Sequence, residues 1–182
     1  MQIETPRLLL RQWQDGDRAA FAAVNADADV RRYYYPSILS AAASDALVDE
    51  QIAHLREHGY GFLAVQRKAD GAFVGGAGLS RPGAEVPGGH AVEIGWILGR
   101  AHWRQSYATE AALACFAWAW RHLDCAAIVG YTAALNTPSQ RAMERVGMQR
   151  IAGADFDDTT VPPGHALRPH QLYAIARPGP AA

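Results

Sequence analysis

The 182-residue chain has only two cysteines, Cys115 and Cys125, too few for the disulfide framework of a small secreted domain. It also lacks an apolar run of membrane-spanning length, since the most apolar stretch, near 107–123, is broken by Thr109, Glu110, Arg121 and His122. The opening MQIETPRLLL has no basic segment ahead of a long apolar run, so no signal peptide is predicted. Neither sign of charge dominates: 17 basic and 18 acidic side chains leave a formal net charge of −1. That balance gives no bulk attraction for nucleic acid or an anionic membrane. The expectation is a cytoplasmic protein, monomer or homodimer, with no nucleic-acid or membrane partner. There is no internal repeat, low-complexity tract or linker.

What is present is a substantial apolar fraction, 49% of residues, enough for one domain with a sizeable core across 1–182. Arg7 to Trp13 reads as a first strand, and Asp15-Gly16-Asp17 as a turn leading into a helix over about 17–27. Tyr33-Tyr34-Tyr35-Pro36 reads as a loop, followed by a helix over about 44–58 that Gly59 stops. Tyr60 to Lys68 and Phe73 to Ser80 form a hairpin about Asp70-Gly71, with Gly75, Gly76 and Gly78 weakening the second strand. Residues 81–90 are a loop, Ala91 to Leu98 a strand. Residues 107–123 form a helix whose buried face carries Ala108, Ala111, Ala112, Cys115, Phe116, Ala119, Trp120 and Leu123. Ala126 to Thr132 is a buried strand. Thr137-Pro138 starts a last helix with a capping hydroxyl, Gly147 ends it, and His170 to Ala176 is the final strand. The order β-α-α-β-β-β-α-β-α-(β)-β describes a mixed α/β domain.

Residues 92–112, VEIGWILGRAHWRQSYATEAA, carry the strongest functional signal. A strand feeds a short polar loop, Trp103 to Tyr107, that opens directly into a helix. The first N–H groups of a helix have no internal partner, and with the helix dipole they favour an anion such as a pyrophosphate. The second strand–loop–helix, 126–147, carries Asn136, Thr137 and Ser139 in its loop. Adjacent parallel strands would bring both helix starts to one sheet edge. Asn136 can both donate and accept there, which suits an amide-containing tail.

The segments VEIGWIL…WRQSYATEA and NTPSQRAMERVG, with the opening ETPRLLLRQW, resemble the GNAT superfamily of acetyl-CoA-dependent N-acetyltransferases. They are most similar to the branch of ribosomal-protein N-terminal acetyltransferases. The resemblance covers roughly residues 3–150. It implies a single GNAT-like domain with a mixed, strongly twisted sheet of about six to seven strands flanked by about four helices. It further implies acetyl-CoA as co-substrate, no metal, and transfer of acetyl to a primary amine on a small molecule or peptide. Backbone groups of Trp96, Ile97 and Leu98 would pair with the pantetheine arm. Those of Arg104, Gln105, Ser106, Tyr107, Ala108 and Thr109 would hold the pyrophosphate. Asn136 would bond the pantetheine, with Ser139 near the thioester sulfur. The chain departs from the family at Arg104 and Ser106, where glycines are usual and permit positive φ. The alternative reading is therefore a non-catalytic acyl-CoA-binding module with a degenerate pyrophosphate loop.

An amine attacks a thioester only when neutral, and amine pKa values of about 8 to 10 call for a base or a desolvated pocket. Glu93, the only acidic residue in strand 91–98, is the candidate base and matches a glutamate common in that branch; the other reading is an ordinary strand carboxylate. Ser139 can protonate the departing thiolate, or only cap its helix. Many relatives place a tyrosine one turn later, where this chain has Met143. His54-Leu55-Arg56-Glu57-His58 matches an inverted zincin pattern, against which stands Gly59 at the helix end. Acceptor-side candidates are Arg31 to Tyr35, loop 81–90, and 153–168 with Asp155, Asp157 and Asp158. His165 and His170 can touch substrate or sit on the surface. Cys115 reads as a packed thiol, and Trp118 lies off the apolar stripe. A protein N-terminus, a polyamine, an amino acid and an antibiotic all remain open as acceptors.

Overall fold

The computed structural model describes residues 1–179. Its strands are β1 (Ile3–Glu4), β2 (Leu8–Arg11), β3 (Phe62–Arg67), β4 (Phe73–Ser80), β5 (Glu93–Leu98), β6 (Ala127–Ala133), β7 (Gln149–Arg150), β8 (Phe156–Asp157) and β9 (Pro169–Ala176). Four α-helices join them: α1 (Arg18–Ala26), α2 (Ala41–His58), α3 (Tyr107–His122) and α4 (Thr137–Arg145). The sheet runs β1-β2-β3-β4-β5-β6-β9-β7, with β8 attached to β9. Only β5 and β6 pair in parallel; the other pairs are antiparallel. The 9-stranded sheet exceeds the expected six to seven because β1, β7 and β8 are two-residue strands that sequence periodicity cannot register. No described helix is long and apolar enough to cross a membrane.

Side-chain alternation sorts the core onto the two faces of the sheet. Leu63, Val65, Ile94 and Leu98 pack with α3 residues Ala111, Ala112, Cys115, Phe116 and Ala119. Ala64 and Ile97 pack on the opposite face with Trp13, Phe21, Val30 and Val48, under α1 and α2. The small, fully buried Ala111, Ala112, Cys115 and Ala119 let α3 lie close against the strands. Ala108, Trp120 and Leu123 sit at the margin of that stripe, partly buried. Trp118 stacks on His122 at 4.4 Å. Strand β4 forms in full despite its glycines. A Cβ on Gly76 would lie 2.3 Å from the Phe62 ring, so the missing side chain is what gives that ring its place.

Helix ends obey local chemistry. Ser40 caps α2 through a bond from the Ala43 N–H, and Gly59 closes it at φ 76°. The expected Thr137 cap is corrected: Asn136 occupies the cap position, accepting from the Ser139 N–H, and Thr137 is already helical. An amide oxygen one residue earlier reaches that donor, and Pro138 then follows without a lost bond.

The α1–α2 connection is held from inside. Asn25, 0% exposed, donates to Ser44 Oγ at 3.0 Å and accepts from Arg31 Nη1 at 3.0 Å. Arg31, 5% exposed, also donates to the Pro36 carbonyl and stacks over Tyr34. Asn25→Ala is expected to strand the buried guanidinium and lower the unfolding free energy by about 2–4 kcal/mol, read from urea denaturation.

Candidate active site at the opening between β5 and β6

Strands β5 and β6 share a single bridge, Glu93 with Val129, fastened by Val129 N–H to Val92 C=O at 3.0 Å. Beyond it β5 stays with β4 and β6 stays with β9, leaving an opening between them. Because the two strands are parallel, α3 and α4 both begin at this edge, as topological switch points favour. A cavity of about 440 Å³ fills the opening, with Phe62, Glu93, Trp96, Tyr131, Asn136 and Ser139 among its walls.

Ladder parity decides which β5 backbone groups face the opening. The Gly99 N–H bonds Val74 C=O, so the alternating bonds to β4 fall at residues 99, 97, 95 and 93. Ile97 therefore directs its backbone to Gly76, away from the opening, while its buried side chain, on the α1–α2 face, lines the cavity. Trp96 and Leu98 direct their groups into the opening. Their carbonyls are met by the Tyr34 hydroxyl at 3.3 Å and the Trp103 indole at 2.8 Å. Their N–H groups have no strand to bond.

The loop before α3 keeps the geometry that glycine would provide. Arg104 and Ser106 have φ of 60° and 61°, both left-handed. The first helical bond runs from Glu110 N–H to Ser106 C=O, so the N–H groups of Tyr107, Ala108 and Thr109 have no acceptor inside the helix. With Gln105 between two left-handed residues, the segment turns directly into a helix start, an arrangement whose free N–H groups suit an anion. Glu110, in the first turn, is neutralised by the Thr5 hydroxyl at 2.6 Å, the Arg7 N–H at 3.0 Å and the Arg7 guanidinium at 2.6 Å. Its charge is thereby prevented from opposing an anion there.

Asn136 and Ser139 both line the cavity. The Asn136 amide is already engaged, donating to Thr132 Oγ1 at 2.8 Å and accepting from the Ser139 N–H at 3.2 Å, which leaves one amide hydrogen free. Ser139 thus receives the cap rather than providing it, and its hydroxyl makes no hydrogen bond among the described residues. Met143 is 1% exposed and lines the cavity from the core side.

Glu93 sits where the strands part. Its Oε2 is buried without a hydrogen-bond partner. Burial pushes the carboxyl up to about 7, against the lowering effect of the Tyr131 and Ser80 hydroxyls. Tyr131, raised by burial and by the Glu93 charge, was missed in the sequence. It lies two residues beyond Val129 and therefore on the same face as Glu93, which only the β5–β6 register reveals.

Two loops cover the cavity: 31–35 and 158–167 both line it, and Tyr35 meets the His165 ring edge-on at 5.3 Å. Loop 81–90 sends Val86 into a cluster with Val129 and Leu172, and its Glu85 lies close enough to raise Glu93 and Tyr131 by its charge. Asp155 and Asp157 are paired with Arg150 and Arg168, whereas Asp158 lines the cavity beside His170. His54 bonds the Tyr60 carbonyl through Nδ1 and the Arg81 N–H through Nε2, so both ring nitrogens tie α2 to the strands. Cys115 is inert in the core, its thiol pushed up to about 12 by burial.

The acetyltransferase (GNAT) domain family matches residues 7–149. An uncharacterized N-acetyltransferase of Bacillus subtilis, YnaD, is 26% identical over 96% of both chains. A GNAT-family acetyltransferase structure from Bacillus anthracis superposes with a TM-score of 0.80 at 25% identity, covering 97% of this chain and 99% of that one. The ribosomal L7/L12 alpha-N-protein acetyltransferase RimL, solved with coenzyme A, gives 0.75 at 17% identity, covering 97% and 98%.

Left-handed backbone at a non-glycine residue costs about 1 kcal/mol or more, part of which returns through the stiffer unfolded chain. Replacing Arg104 and Ser106 together by glycine is expected to raise the melting temperature by a few degrees, measured by calorimetry.

Proposed function

The chain belongs to the GNAT acetyltransferases as an acetyl-CoA-dependent N-acetyltransferase, and from that premise we propose direct acetyl transfer to a primary amine with Glu93 as general base. The carrying observation is the Glu93 carboxyl: buried at the parting of the strands, unpartnered at Oε2 and titrating at about 7. Such a group is ionised in useful fraction near neutral pH and still basic enough to take a proton. Residues 1–182 act as one acyltransferase domain in this reading.

The residues suit acetyl-CoA. The segment over Arg104, Gln105, Ser106, Tyr107, Ala108 and Thr109 offers the pyrophosphate N–H donors at a helix start. The unpaired N–H groups of Trp96 and Leu98 offer donors to the pantetheine arm and to the thioester oxygen as charge develops on it. The free Asn136 amide hydrogen adds a further contact. Positive φ at Arg104 and Ser106 speaks against a degenerate loop, because the conformation survives the loss of glycine.

In the transfer, Glu93 accepts a proton from the acceptor amine. The nitrogen lone pair attacks the thioester carbonyl carbon, an N–C bond forms, the C–S bond breaks with its electrons on sulfur, and the second N–H proton, shed as the amide forms, passes to solvent. The Ser139 hydroxyl, at the cavity wall, supplies a proton to the thiolate and is restored from solvent.

Thermal shift with acetyl-CoA and thiol release across an amine panel test the reading; stabilisation without thiol release on any primary amine would reject it. Glu93→Gln is expected to lower kcat/KM by about 10²–10⁴ while leaving the acetyl-CoA shift in place. Wild-type kcat/KM should climb with pH through about 7 and then level, as the carboxyl ionises. The stability consequence has the opposite sign. A carboxyl raised from 4.5 to about 7 stabilises the fold below the unfolded value, and that contribution is lost as pH rises through 7. Glu93→Gln should therefore gain stability relative to wild type at pH 8, on the order of 3 kcal/mol, but not at pH 4.

A further inference from the structure

Several acceptors on the cavity wall are left unused. Glu93 Oε2 and Gln51 Oε1 are buried oxygens without a partner, and both residues line it. Asp158 adds a third acceptor. Its Oδ1 is fixed by the Thr160 N–H at 2.9 Å and the Thr160 hydroxyl at 2.7 Å. Its Oδ2 accepts no hydrogen bond among the described residues and lies 3.9 Å from His170 Nε2. His170 bonds the Arg168 carbonyl through Nδ1 at 3.0 Å, so in the neutral ring Nε2 carries the lone pair. An oxygen and a nitrogen acceptor thus stand side by side at one end of the cavity, next to the Tyr131 ring, which lies 6.1 Å from that of His170.

Cations that would compete are already engaged. Among the described residues, Arg31 and His170 are the only basic ones lining the cavity. Arg31 is committed to Asn25 and the Pro36 carbonyl. No arginine or lysine on the described wall is free to pair with a carboxylate, which disfavours an amino acid as acceptor. Two carboxylates in one enclosed space, each with a free oxygen, ask for two cationic nitrogens.

We propose, resting on the acetyltransferase reading above, that the acceptor is a diamine or polyamine: one nitrogen reacts beside Glu93, while Asp158 and His170 hold a second as its ammonium. An ammonium carries three donors, two of which Asp158 Oδ2 and His170 Nε2 can accept. The division of labour follows from charge. A base that must give up its charge on taking a proton is a poor permanent anchor, and Asp158 supplies the lasting one.

The test uses three amines of matched reach with different far ends: butylamine, putrescine and γ-aminobutyrate. Thiol release from acetyl-CoA should favour putrescine over butylamine by at least about tenfold in kcat/KM, the equivalent of one modest ion pair, and γ-aminobutyrate should be poorest. Asp158→Asn should remove most of the putrescine preference, chiefly through KM, and Asp158→Glu should restore part of it. Equal use of butylamine and putrescine by wild type would overturn the proposal. So would an Asp158→Asn loss of the same factor on both amines. Acetyl-CoA thermal shift separates the two levels. A retained shift with no putrescine turnover rejects the diamine alone, while an absent shift rejects the acetyltransferase reading beneath it.

Discussion

The parting of β5 from β6 after one bridge is the constraint on which the site depends. Strand β6 is paired along its whole length with β9, from Ala127↔Ala176 to Ala133↔His170, but meets β5 only at Val129. A sheet interrupted in its middle exposes backbone groups that cost free energy if buried dry. The chain meets that cost selectively. Side-chain donors from Tyr34 and Trp103 cover the carbonyls of Trp96 and Leu98, while the neighbouring N–H groups stay available. What would be a defect in a structural sheet is here a strip of oriented donors, backed by the α3 core and walled by α1 and α2.

Electrostatics around the opening are arranged by pairing charges off elsewhere. Glu110 is absorbed by Thr5 and Arg7, Asp155 by Arg150, Asp157 by Arg168, and Asp17 by Arg11. The loop before α3 is left without an opposing carboxylate, and the cavity wall keeps Glu93 and Asp158. Desolvation is the larger influence on Glu93, outweighing the nearby hydroxyls, so its proton affinity follows from burial more than from any partner.

Much of this was legible in the sequence where local chemistry decides structure. The small-residue stripe of α3, the Gly59 stop, the Asp70-Gly71 hairpin and the placement of Glu93 on a strand before an anion-ready helix all follow from spacing and side-chain type. Features set by register were not legible. Ladder parity turns the Ile97 backbone toward β4 and alternation places Tyr131 with Glu93, but both require knowing which residues face each other across strands. Competing hydrogen bonds were hidden in the same way. Asn136 and Thr137 are both good caps, and the structure uses the first, which frees Ser139 from that duty. The H-x-x-E-H pattern was legible as a motif, whereas the backbone partners of His54 lie on distant segments.

Arg104 and Ser106 show why a residue rule can fail while the geometry behind it holds. Glycine is usual at such positions because left-handed backbone is unstrained without a Cβ. A non-glycine residue can still be held there when both ends of the segment are fixed. Upstream, the Trp103 indole is anchored on the Leu98 carbonyl and the Gln105 amide on Ala101. Downstream, Tyr107 is buried beneath the Arg7 guanidinium and Glu110 is tied to the amino-terminal segment. The loop between these anchors has little freedom left, so its N–H groups are aimed before any ligand arrives. Preorganisation of that kind avoids the ordering cost that a flexible glycine loop would meet on binding a ligand.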